Sequence, residues 1–266
     1  MNILPNHNYQ CTTPQKPNFT AIPKANYKLF KDTGKVTVFQ LEKSDIPFLE
    51  KIKVNLGKFL SQHKIEDEAK QEIFTDSLNA SINILKDSER LGKKAKIYMA
   101  VADKKPCGII VGSASKLNKK GKIVYSSRKN HSSKETELDF LSTWHNSEYK
   151  GTGKSLVDEY LIDTREAGFK DVYVRSEVPQ YSGATSFYEG CGFKSLTGEK
   201  QKLDLKKGDN SYIGGDYFDP EDLILPMKAT PKRINESIKN ISEAMSREEI
   251  KNPKSCNLFD VTNVHY

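Results

Sequence analysis

Gly151 and Gly153 stand between a run rich in alternating apolar residues and a helical pattern, and that junction constrains the fold more than any other part of the chain. Leu138, Phe140, Leu141 and Trp144 predict a strand over 137–145, which runs through HNSEYK into Gly151-Thr152-Gly153-Lys154-Ser155. Beyond it Leu156, Val157, Tyr160, Leu161 and Ala167 recur at helical spacing, and Gly168 with Phe169 ends the helix as a C-cap. The first-turn N–H groups of such a helix have no acceptor within it, and its dipole adds roughly half a positive charge there. Glycines, lacking a Cβ, let an anion approach those donors closely, so the ligand this turn predicts is a phosphate.

The same turn matches the end of the nucleotide triphosphate loop GxxxxGK[ST]. That loop requires glycine at position 148, where this chain carries Glu148, whose carboxylate repels the phosphates the loop should wrap. The residues C-terminal to the helix point elsewhere. Val172 and Val174 predict a second strand, and Ser182 or Gly183 opens a short helix bearing Ala184, Phe187 and Tyr188. The segments Glu148-Tyr149-Lys150-Gly151-Thr152-Gly153 and Ala184-Thr185-Ser186-Phe187-Tyr188-Glu189-Gly190-Cys191-Gly192-Phe193 resemble the GCN5-related N-acetyltransferase family. In that family a Q/R-x-x-G-x-G/A turn holds a pyrophosphate, and an A-x-x-[FL]-Y-x-x-x-G-F segment flanks a thioester. The chain departs from the pattern at Glu148, where the family has Gln or Arg, and at Tyr181, where it often has Asn. Lys150 is placed to reach a phosphate or to neutralise Glu148.

The resemblance implies a single mixed, mostly antiparallel central sheet flanked by helices, an α/β fold of acyl-CoA N-acyltransferase type. It implies acetyl-CoA as cofactor, bound through Leu141, Thr143, Tyr149, Lys150, Gly151, Thr152, Gly153 and Lys154, and a primary amine as acceptor. The thioester carbonyl then lies against backbone N–H groups of 141–144, Thr143 foremost. Tyr188 takes the place of the family's tyrosine, a general acid toward the leaving sulfur. For the base, Glu137 and Asp139 alternate with Leu138 and Phe140, which puts both carboxylates on one face; Glu137 is the first candidate and His145 the second. No nucleophile with an adjacent base is visible, Cys191 included, so attack on the bound thioester is direct.

Around this centre, Val36 to Leu41 reads as a strand, Ser44 as an N-cap, and Ile46 to Leu60 and Glu66 to Leu85 as helices. Ile97 to Ala102 and Cys107 to Ser113 read as strands joined by the turn Asp103-Lys104-Lys105-Pro106. Strands near 194–204 and over Leu223 to Met227 complete the sheet. The expected organisation is an N-acetyltransferase-like domain over 33–229, an irregular arm over 1–32 containing Pro5, Pro14, Pro17 and Pro23, and an extension over 230–266. The extension holds one helix, whose Ile234, Ile238, Ile241 and Met245 form a stripe that packs on the domain.

With 36% apolar residues in 266, one core with extensions fits best. No stretch approaches 18 apolar residues and no signal peptide is visible, which predicts a cytoplasmic protein without a membrane partner. Cys11, Cys107, Cys191 and Cys256 lack CxxC spacing and the histidines lack metal-type pairing, so thiols are free and no metal is expected. The net charge of +7 is unevenly spread. Lys104 to Lys134 contains nine Lys or Arg and no acid, with Tyr125 its one aromatic residue for base stacking, which argues against nucleic acid. Gly208 to Pro226 is acidic and aromatic; Asp216 and Asp219 there are the candidate acceptor-binding residues, suited to a cationic small molecule or peptide. The alternative is an inactive domain of the same fold that uses 104–134 to bind an acidic partner or nucleic acid. A homodimer is left open.

Overall fold

The computed structural model describes residues 21–30, 34–87, 94–114, 135–144, 148–177, 183–195 and 224–264. They form a nine-stranded sheet in the order β7-β8-β6-β5-β4-β3-β2-β1-β9. The strands are β1 (Ile22–Lys28), β2 (Lys35–Gln40), β3 (Lys94–Ala102), β4 (Lys105–Ala114), β5 (Glu135–Thr143), β6 (Asp171–Glu177), β7 (Lys194–Ser195), β8 (Ile224–Ala229) and β9 (Arg247–Glu249). Every pair is antiparallel except β5 with β6, so the sheet is mixed and mostly antiparallel, as expected.

Helices cover both faces. On one side α4 (Thr152–Glu166), α5 (Ala184–Glu189) and α6 (Pro231–Ala244) pack with Val36, Val38, Tyr98, Ile110, Leu138 and Val174. On the other α1 (Ile46–Val54), α2 (Leu56–Gln62), α3 (Glu68–Asp87) and α7 (Leu258–Val261) pack with Phe39, Ile97, Met99, Ile109 and Val111. The strand residues sort by parity onto these two cores, as period-two alternation requires. The stripe Ile234, Ile238, Ile241 and Met245 is buried, as its spacing predicts, and α6 lies against α4. Each buried isoleucine contributes about 1.5–3 kcal/mol.

Four local readings are corrected. Residues 22–28, expected within an irregular arm, are strand β1, which pairs with β2 and β9 and so closes one edge of the sheet with segments from both ends of the chain. Pro23 falls at an irregularity in the β1–β2 register, where a missing N–H is tolerated. The helix expected over 46–60 breaks at Asn55, whose side-chain amide donates to the Lys51 carbonyl at 3.2 Å and ends α1. Ser44 is not the cap: Glu42 caps a short 3-10 turn over Lys43–Asp45 in a capping box, its N–H donating to Asp45 Oδ2 at 2.8 Å, and Asp45 stands at the N-cap of α1. The β3–β4 turn is the two residues Asp103 and Lys104, at φ 47° and 61°, the left-handed pair of a type I′ hairpin.

Candidate functional site

The site begins where β5 and β6 part. Among the described residues their pairing covers Glu135↔Asp171 to Leu138↔Val174; beyond it β5 continues to Thr143 paired with β4, and β6 to Glu177 paired with β8. A bulge marks the same point. Phe140 pairs with Val111 and Leu138 with Gly112, which leaves Asp139 as the extra residue of β5. Leu138 therefore packs on the α4 side and Phe140 on the α3 side, where unbroken alternation would have kept them together. The expectation that Asp139 shares a face with Glu137 fails for this reason.

Among the described residues, the edge of β5 beyond Leu138 has backbone groups that no strand pairs with. Trp144 donates to the Cys107 carbonyl at 2.9 Å, an exchange within a hydrogen-bonded antiparallel pair. The next pair, Thr143↔Gly108, is then non-hydrogen-bonded, and so is Leu141↔Ile110. The N–H groups of Leu141 and Thr143 accordingly point away from β4, into the gap that β6 has left.

At the mouth of this gap lies the N-terminus of α4. Gly151 caps it at φ 109°, and Ser155 makes the first helical bond, to the Gly151 carbonyl at 3.0 Å. Gly153 and Lys154 are thus the first-turn donors without a helical acceptor. The hydroxyls nearby are committed to the backbone: Thr152 donates to the Tyr149 carbonyl and Ser155 to the Thr152 carbonyl, each at 2.8 Å. A Cβ on Gly153 would lie 3.2 Å from the Phe187 ring and 3.6 Å from the Thr143 methyl, so the missing side chain lets α4 start tight against α5 and the end of β5. The Lys154 ammonium sits 5.4 Å from the centre of the Phe30 ring and 3.6 Å from where a Cβ on Gly190 would be.

The mixed, mostly antiparallel sheet, with helices on both faces and β5 and β6 as its parallel pair, is the architecture that the resemblance to the GCN5-related N-acetyltransferases implies. No family model matches the chain, and no curated protein matches it in sequence. Among solved structures it is similar to the PaiA N-acetyltransferase of Thermoplasma acidophilum in complex with coenzyme A, at 18% identity over 73% of this chain and 98% of that one, with a TM-score of 0.41. It is also similar to an acetyltransferase of the GNAT family from Staphylococcus aureus Mu50, at 14% identity over 74% and 99%, TM-score 0.42. A third is the IAA acetyltransferase of Bacillus cereus, at 12% identity over 73% and 99%, TM-score 0.38.

Within this fold several expected contacts fall differently. Glu148 pairs with Lys105 Nζ at 3.3 Å, both groups about half exposed, so the neutralising cation comes from β4 and not from Lys150. Lys150 is exposed, and its carbonyl accepts from the Phe30 N–H at 3.3 Å. The Tyr149 ring is buried against Gly34 with its hydroxyl on Asp103 at 2.8 Å, so that side chain anchors the turn from beneath and only its backbone is left to face the α4 N-terminus. Burial pushes its phenol above the usual tyrosine range, and the bond to Asp103 adds to that.

Tyr188 is 7% exposed, on α5, edge-on to Phe187 and Phe193 at ring separations of 5.2 and 5.7 Å. Burial holds its phenol above the ordinary range, with the neighbouring Cys191 thiol adding to the effect, so it stays protonated. Cys191 is buried and its thiol is pushed up to about 12, chiefly by burial, which makes it a packing residue. Glu137 is buried on the face opposite α4, with its carboxylate 3.3 Å from Arg175 Nε. On the α4 face, Tyr160 donates to the Glu137 carbonyl at 2.8 Å and packs where Gly112 has no side chain, tying α4 to β5 just before the bulge.

Asp216, Asp219, His145, Tyr181 and Cys11 lie outside the described residues, as do 115–134 of the basic segment. Among the described residues no group of His, Cys, Asp and Glu is arranged to hold a metal, and no helix is long and apolar enough to cross a membrane. Sequence reasoning missed Phe30, Lys105, Asp103 and Arg175. Each reaches the site through strand pairing or a long-range turn contact, and none carries a local spacing signal.

Proposed function

We propose that the chain is an acetyl-CoA-dependent N-acetyltransferase acting on a primary amine by direct attack. The observation that carries this reading is the parting of β5 from β6 with the Leu141 and Thr143 N–H groups turned into the gap and the α4 N-terminus at its mouth. The donors fit a phosphate at one end and an extended amide-bearing arm along the open strand edge, a form of strand addition. Gly153 and Lys154 hold the pyrophosphate through backbone N–H groups, and the Lys154 ammonium adds a side-chain donor and positive charge that Glu148 does not supply where the family has Gln or Arg.

Acetyl-CoA, when bound, supplies the acetyl group as a thioester. The open edge of β5 near the bulge polarises its carbonyl. Glu137 takes the proton that frees the acceptor's ammonium to act as an amine, and Tyr188 gives its phenolic proton to the departing sulfur. The acceptor is protonated in solution, and Asp216 and Asp219 are the proposed residues that attract it, as a cationic small molecule or peptide. The test is coenzyme A release over a panel of primary amines, compared between the native chain, Tyr188→Phe and Glu137→Gln. Turnover that both substitutions depress supports the reading, and an amine-independent rate equal in all three chains contradicts it.

A further inference from the structure

The apex of the gap carries a pair of opposite charges that this mechanism uses only in half. On β6, Val172 and Val174 belong to the α4-side core, so Asp171, Tyr173 and Arg175 point to the other face, the one Glu137 occupies. Arg175 is the first β6 residue beyond the last pair with β5, Leu138↔Val174. Its side chain is 54% exposed and leans back across the gap to place Nε 3.3 Å from Glu137 Oε1, whose side chain is 8% exposed. Lys228, another cation on this side, is engaged by Asp171 at 3.7 Å and lies over the Tyr173 ring at 5.6 Å.

We propose that Glu137 and Arg175 together recognise a zwitterion, and that the acceptor is an amine carrying its own carboxylate close by, as a free amino acid does. This rests on the N-acetyltransferase reading. The Arg175 guanidinium is 54% exposed and so open to a ligand carboxylate, whereas the Glu137 carboxylate is buried and needs a cation beside it whenever Arg175 turns away, a place an acceptor ammonium fills. An acceptor ammonium pairs with Glu137 while its carboxylate takes the guanidinium fork in two parallel hydrogen bonds. Both charges are then matched. An amine without a carboxylate gains Glu137 only by separating it from Arg175, which leaves the guanidinium unmatched at the edge of the gap. Carboxylate binding by Arg175 also releases Glu137 to take the ammonium proton.

The test uses the full chain with acetyl-CoA and measures coenzyme A release for each free amino acid beside its C-terminal amide, in the native protein and in Arg175→Gln. The proposal expects at least one amino acid to exceed its amide by about 10- to 100-fold in kcat/KM, the range of a hydrogen bond to a charged group. It expects Arg175→Gln to erase that gap through KM. Amides turned over as well as their acids, a substitution that lowers both equally, or no amino acid acetylated at all overturns it. Titration of the same preparation with acetyl-CoA separates the two readings. Cofactor binding without carboxylate preference removes this inference alone, whereas no cofactor binding removes the N-acetyltransferase reading as well.

Discussion

Arg247, in the short strand that closes the sheet edge, sets its Nε 2.6 Å from Glu159 Oε1 on α4. The Tyr27 hydroxyl lies between Glu159 Oε1 at 2.6 Å and Asp158 Oδ2 at 2.9 Å, and Ser242 donates to Asp158 Oδ2 at 2.9 Å. Residues from both ends of the chain thus hold the helix whose first turn is the proposed phosphate site. Glu159 is fully buried, so Arg247→Ala strands a carboxylate in the core. The expected loss is about 3 kcal/mol or more, a fall of about 6–12 °C in Tm, measured by thermal unfolding.

Asp158 in the same cluster has its carboxyl pushed up to about 6 from 3.8, chiefly by burial, against the hydrogen bonds from Ser242 and Tyr27. The folded state therefore holds this proton more tightly than the unfolded chain, and stability falls as pH rises from about 4 to about 6. Across that window the loss comes to roughly 3 kcal/mol. Asp158→Asn lacks that titration. Urea unfolding of both chains at pH 4 and pH 7 should show the native chain losing this amount relative to the variant; a constant difference contradicts the account.

Two glycines with left-handed backbones separate strain from crowding. Gly168 has φ 81° and open space around its Cβ position, whereas Gly151 has φ 109° and a Cβ there would meet Phe30 Cδ2 at 2.9 Å. Gly168→Ala should cost about 1 kcal/mol from the backbone alone, and Gly151→Ala clearly more. Denaturant midpoints of the two variants check the order.

The sheet, its helices and the glycine turn between β5 and α4 were legible because their signals are local. Leu138 and Leu156 lie in runs whose period declares strand or helix, and Gly151 stops one and starts the other. The Asp139 bulge was not legible, since an extra residue in β5 shows only in its register with Val111 and Gly112, and with it went the shared face expected of Glu137 and Asp139. Glu148 read as a threat to phosphate binding until Lys105, 43 positions away, was found beside it. Strand β1 was obscured by Pro23, and its pairing with β9 joins segments more than 200 residues apart in sequence.

Tyr188→Phe removes the proposed proton donor and leaves the ring packing against Phe187 and Phe193. Turnover should fall by about 10²-fold or more with acetyl-CoA affinity kept. Because burial holds the phenol above its ordinary range, the native rate should not decline through loss of this proton until the solution is more alkaline than about pH 10. A rate profile with a tyrosine limb below that value contradicts the assignment.

The central claim is that the α4 turn binds the pyrophosphate of acetyl-CoA. Isothermal titration with acetyl-CoA and with coenzyme A, on the native chain and on Gly153→Asp, tests it most directly. A Cβ at 153 would lie 3.2 Å from the Phe187 ring, so the variant is checked for an unchanged far-ultraviolet spectrum first. The account predicts micromolar binding of both ligands by the native chain and at least about 100-fold weaker binding by the folded variant, since a carboxylate then stands where the phosphate should. No binding by the native chain, or equal binding by both, would contradict it.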